Sequence, residues 1–96
     1  MNKEEEIKKY SNPIEALKKI KKLLGEDVKL FISTRKNKKY MVENPSGQMV
    51  HFGFFGMEDY LKHKNKLRRD RFRIRNKKWA MADKWTPAWL SYHILW

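Results

Sequence analysis

The sequence predicts an α+β domain, and three observations carry that reading. A helix with both ends marked, SNPIEALKKIKKLLGED, stands near the start; residues 28–55 read as strands around a tight turn; and a cationic helical stretch with an aromatic close follows. The architecture expected is an N-terminal helix, a three-stranded antiparallel sheet, a long basic helix and a short aromatic C-terminal helix. At 96 residues this is one domain over residues 12–96, preceded by a flexible N-terminus over residues 1–11.

The first helix is defined by its ends. Asn12 supplies a cap, Pro13 takes the first helical position, Glu15 completes a capping box, and Gly25 offers a left-handed stop. Ile14, Leu17, Ile20 and Leu24 form one apolar stripe, with Lys18, Lys19, Lys21 and Lys22 off it. Strand signals follow in VKLFIST, YMVEN and QMVHFGFF, with RKNKK as a charged turn. Asn44-Pro45-Ser46-Gly47 has the residue preferences of a type I turn followed by a glycine bulge. Alternation puts Leu30, Ile32, Tyr40, Val42, Val50 and Phe52 on one face, and Lys29, Phe31, Arg35, Lys39, Met41 and His51 on the other.

Beyond Gly53 and Gly56, MEDYLKHKNKLRRDRFRIRNKK predicts one helix. Glu58 and Asp59 sit at its start and its cations gather toward its end, as the helix dipole favours. Met57, Tyr60, Leu61, Leu67 and Ile74 supply its apolar stripe, with Phe72 at the margin. Residues 71–75 also alternate at period two, so a strand there is the alternative. Thr86-Pro87 begins a last helix, PAWLSYHILW. Too short to stand alone in water, this helix must dock, and the second sheet face with Phe31 and Met41 offers a site, as does a neighbouring subunit.

Charge gives the functional lead. Lys and Arg number 23 against 11 acids, a net charge of +12 that calls for a polyanionic partner. Residues 1–27 are near balance, with seven Lys and six acids, whereas residues 60–78 hold ten cations and one acid. Arg binds phosphate as a fork where Lys cannot, and loop tips on a rigid sheet often carry binding function. The nucleic-acid-binding residues predicted are therefore Arg35, Lys36, Lys38 and Lys39 in the loop, and Lys62, Lys64, Lys66, Arg68, Arg69, Arg71, Arg73 and Arg75 in the helix. Their preponderance over amide-bearing base readers predicts phosphate contacts without sequence preference. Trp85, Trp89, Tyr92 and Trp96 are assigned to the core or to a protein interface, through which the chain could form an oligomer, rather than to base stacking.

Catalytic chemistry finds no footing. The chain has no Cys; His51, His63 and His93 stand in separate elements without ligand spacing; and Glu58 and Asp59 point about 100° apart on a helix. Neither a phosphate-cradling glycine loop nor a nucleophilic serine signature occurs. No enzyme, cofactor, metal or small-molecule substrate is expected. No apolar run approaches the roughly 20 residues of a membrane span, and MNKEEEIKKY is too charged for a signal peptide.

Four strings, STRKNKKYMV (Ser33–Val42), HFG (His51–Gly53), GMEDYLKHKNKLRRDRFRIR (Gly56–Arg75) and TPAWLSYHILW (Thr86–Trp96), resemble a family of small basic proteins encoded by large double-stranded DNA viruses of algae and amoebae. The resemblance covers residues 28–96. It implies a virion-associated protein, found in the particle and the host cell interior, and brings no catalytic residue. The first helix lies outside it, which leaves residues 12–25 for protein docking, and similar sequences continue with polar residues past the position of Trp96. The partner expected is nucleic acid, double-stranded DNA foremost. The alternative is a minor capsid or scaffold role on acidic surfaces of larger capsid subunits.

Overall fold

The computed structural model describes residues 2–96 and has the predicted α+β architecture. In chain order it comprises α1 (Lys3–Glu6), a 3-10 turn at Ile7–Lys9, α2 (Pro13–Leu24), β1 (Leu30–Ile32), β2 (Lys38–Glu43) and β3 (Met49–Phe54). There follow α3 (Tyr60–His63), α4 (Lys66–Arg75), a 3-10 stretch at Lys77–Met81, and α5 (Pro87–Leu90), which passes into a π-helical turn at Ser91–Leu95.

The strands form an antiparallel meander in the order β1-β2-β3. The expected apolar face is present: Leu30 pairs with Val42 and Ile32 with Tyr40, while Tyr40 pairs with Phe52 and Val42 with Val50. The hairpin closes as its sequence predicts. Gly47 N donates to Asn44 O at 2.9 Å, Asn44 N to Gln48 O at 2.8 Å, and Gly47 takes a φ of +83°. Tyr40, Val42 and Phe52 are fully buried in one cluster with Ile7, Ala16, Ile20, Leu61, Leu90, Ile94 and Leu95. The terminal helix therefore docks through aliphatic side chains on the Tyr40–Phe52 cluster, not on the face of Phe31, which is exposed. Trp85, Trp89, Tyr92 and Trp96 are only half-buried around it.

Other expectations are corrected as well. Residues 3–9 are helical and tied down, where six charged side chains around one isoleucine suggest a flexible N-terminus. Ile7 fills the core, and Lys3 Nζ donates to Ser33 O at 2.8 Å and Arg35 O at 2.6 Å. In α2, Asn12 Oδ1 accepts from Glu15 N at 3.3 Å, but the Glu15 carboxylate pairs with Lys64 instead of closing a capping box. Its buried face centres on Ala16 and Ile20, leaving Ile14 70% exposed, while Gly25 ends the helix at a positive φ of +133°.

The long basic helix is two helices. Asp59 caps α3, accepting from Lys62 N at 3.2 Å, and Asn65 caps α4, accepting from Arg68 N at 3.1 Å. Between them Lys64 turns left-handed at φ +56°. Because α4 restarts with a new direction, the single apolar stripe disappears: Leu67 and Ile74 are exposed, and no residue of α4 is buried. Residues 71–75 are helical, which settles the strand alternative against them.

The N-terminal segment is thus part of the fold. Ile7→Ala is expected to lower stability by about 2–5 kcal/mol, as for other buried aliphatic truncations, measured by chemical denaturation. An unchanged midpoint would mean that residues 3–9 do not dock.

Candidate nucleic-acid interface

One predicted phosphate-binding residue is not available to phosphate. Lys39 projects from the middle of the sheet and is 2% exposed. Its Nζ donates to Asp59 Oδ2 at 3.0 Å and to Tyr10 O at 3.2 Å. Burial pushes the Lys39 ammonium below its ordinary pKa, with the Asp59 charge opposing, and pushes the Asp59 carboxyl up, with Lys39 and hydrogen bonds from Ser11 and Lys62 N opposing. Sequence alternation hides this role, because the partner lies 20 residues away and beyond another strand.

Arg73 is also engaged inward. Its Nε and Nη2 donate to the main-chain O of Trp96 at 3.1 and 2.7 Å, and its guanidinium lies 5.5 Å from the Tyr92 ring. Lys64 pairs with Glu15, and Arg69 pairs with Asp70 and stacks over Tyr60 at 5.0 Å. Arg35, Lys36, Lys62 and Lys66 are exposed and make no ion pair among the described residues. Burial and then the nearby Arg35 hold the His51 pKa below its ordinary value, which disfavours the charged imidazolium. Its Nδ1 lies 2.6 Å from Ser33 Oγ, which in turn accepts from Arg35 N and so shapes the loop.

The remaining cations converge. Lys38 from β2 and Arg68, Arg71 and Arg75 from α4 line a single cleft of about 430 Å3, where Glu58 is the one acidic side chain among the described residues. Glu58 takes a 3.3 Å contact from Arg68, but both side chains are nearly half exposed. Such a pair is worth at most about 1 kcal/mol and leaves the guanidinium open to a stronger anion. The helix supplies its side of the cleft by spacing: residues 68, 71, 72 and 75 fall at i, i+3, i+4 and i+7, so three Arg and Phe72 share one face.

Aromatic and apolar side chains form the rest of the wall. Phe54, Met57, Phe72, Trp79 and Trp96 all line the cleft. Phe72 and Trp96 stack in parallel, 4.3 Å between centroids and 6° between planes, and Trp79 meets Phe72 at 76°. Trp96 thus backs the cleft from outside the core. Of the other aromatic residues assigned to the core or an interface, Trp85, Trp89 and Tyr92 do not line it. Phe54, Met57 and Trp79 escape a sequence search for binding residues, since each reads as part of an apolar pattern. The spacing of 68, 71, 72 and 75 is the signal that could have found this face.

A family model described as a family of unknown function (DUF5754) matches residues 28–80. The chain belongs to that family. The DUF5754 segment contains every cation of the cleft together with Phe54, Met57, Phe72 and Trp79, while α1, α2 and the C-terminal wall lie outside it. No curated protein and no solved structure matches the chain. No helix among the described residues of this DUF5754 member is long and apolar enough to cross a membrane.

Lys39 and its loop neighbour Lys36 should therefore behave oppositely. Lys39→Met leaves the Asp59 charge buried without a partner and should cost about 3–5 kcal/mol in thermal or chemical denaturation. Lys36→Met should change stability by less than about 0.5 kcal/mol. Equal, small effects would contradict the buried pair.

Proposed function

We propose that the protein binds nucleic-acid phosphates, largely without sequence preference, and catalyses no reaction. What supports the reading is the convergence of Lys38, Arg68, Arg71 and Arg75, from two segments some 30 residues apart, around a cleft with little opposing charge. Two Arg forks one helical turn apart match the bidentate geometry of phosphate oxygens, and exposed Lys62 and Lys66 extend the positive surface along the same chain segment. Phosphate contacts fix position but carry no sequence information, and few amide side chains accompany these cations.

Double-stranded DNA in a viral particle or replication compartment is the setting that the resemblance to proteins of large DNA viruses supports. A second reading, a minor capsid or scaffold protein, draws on a different groove. There Pro13, Ile14, Leu17 and Phe31 form an apolar surface flanked by Glu4 and Lys8, with Ile14 and Phe31 exposed. That surface suits a protein better than a polyanion, so phosphate binding at the cationic cleft remains the preferred reading.

If about 4–6 phosphates are neutralised, the logarithm of the duplex affinity should fall with the logarithm of salt concentration at a slope of about −4 to −5, equally for unrelated sequences. Replacing both Arg71 and Arg75 by Ser should flatten that slope by about 2, whereas Lys39 plays no direct part. A salt-independent affinity, or none at all, overturns the phosphate reading.

A further inference from the structure

Phosphate alone does not account for the composition of the cleft. Phosphate binding requires cations and hydrogen-bond donors, yet Phe54 is 57%, Met57 59% and Trp79 37% exposed beside them. Exposed apolar groups gathered at one place mark a contact site more often than chance surface. Trp79 meets Phe72 steeply, not face to face, and among the described residues no other ring and no cation packs on Trp79. Among the described residues no ring or cation packs on Phe54 either. Two partly exposed aromatic side chains thus stand next to Arg71 and Arg75, which make no ion pair among the described residues.

A chemical group that carries a flat π face and a phosphate together satisfies both halves of this surface. The Phe72–Trp96 stack and the hydrogen bonds from Arg73 to Trp96 O give the back wall a preformed shape. The volume, about 430 Å3, falls within the roughly 300–1,000 Å3 of small-ligand sites, so it can admit a nucleotide but not a double helix. In a duplex the base faces are stacked on one another and out of reach. Surfaces for single strands instead combine a cationic track with aromatic platforms.

We propose that the cleft takes an unpaired nucleotide of single-stranded nucleic acid, its base against Trp79 and Phe54 and its flanking phosphates on Lys38, Arg71 and Arg75. The inference rests on the phosphate-binding reading and adds the substrate class. Duplex DNA then lays its phosphates on Arg71, Arg75 and the neighbouring exposed cations at the rim of the cleft without placing a base inside it, and strand ends, gaps or flaps are preferred over continuous duplex.

The test measures binding of the full chain to four probes at one salt concentration: an oligothymidylate of about 12 nucleotides, the matching oligouridylate, an abasic strand of equal length and charge, and a duplex. At least one base-bearing strand is expected to bind roughly five- to a hundredfold tighter than the abasic strand, as stacking predicts. Trp79→Ala and, separately, Phe54→Ala should reduce that advantage and leave abasic and duplex affinities unchanged, while Trp79→Phe should restore part of it. Should Trp79→Ala fail to fold, the wild-type comparison and Phe54→Ala still decide. Equal binding of base-bearing and abasic strands overturns the stacking site while phosphate binding stands. If no probe binds, both readings fall.

Discussion

The buried pair between Lys39 and Asp59 is the constraint on which the remaining structure depends. It joins three parts of the chain that share no regular hydrogen bonding: the N-terminal segment through Tyr10 O, the middle strand through Lys39, and the start of α3 through Asp59. Asp59 N also donates to Tyr10 O at 3.0 Å, its Oδ1 caps α3, and Tyr40 donates to Ser11 Oγ at 2.7 Å beside it. Desolvating two charges is expensive, and the network of satisfied donors and acceptors offsets that cost. Its structural consequence is directional. With Asp59 pinned to the sheet, α3 leaves at one angle, and Lys64-Asn65 then swings α4 to face the end of β2 and β3.

That arrangement explains how α4 can carry so many cations without a buried residue of its own. Its position is set from its ends and flanks: Asn65 caps its start, Phe72 stacks on Trp96, and Arg73 binds the Trp96 carbonyl. Repulsion among its cations is only partly relieved by Glu58 and Asp70. Gly53 completes the geometry. At φ +81°, a side chain there would bring its Cβ within 2.8 Å of Leu95 Cδ1 and 3.2 Å of the Lys39 stem, so the terminal helix and the sheet close together only over glycine. The cleft is the space left where these pieces meet.

Much of the fold was legible because it rests on local signals. The meander, the Asn44–Gly47 turn, the Asn12-Pro13 start of α2 and the Thr86-Pro87 start of α5 each depend on residues within a few positions of one another. Two of the failures share a cause, namely that a distant partner decided the outcome. Lys39 looks like its loop neighbours until Asp59 arrives from another element. Ile7 looks like an isolated apolar residue until α2 and the sheet enclose it. The break at Lys64-Asn65 had a local marker, since Asn caps helices well, but an almost unbroken cationic run obscured it. Of the candidate site, the Arg-rich half was readable from composition. Its aromatic half was not, because Phe54 and Trp79 gain their meaning only when the strand end and the 3-10 stretch line one cleft.

The central claim is that nucleic acid meets this protein at the cleft between the β2–β3 end of the sheet and α4. Amide and indole chemical-shift mapping with a short oligonucleotide tests it most directly. The account predicts that the largest shifts fall on Lys38, Phe54, Arg71, Arg75 and the Trp79 indole, with Ile14 and Phe31 unmoved. Shifts concentrated at Ile14, Leu17 and Phe31, or on Arg35 and Lys36 with the cleft silent, would contradict it.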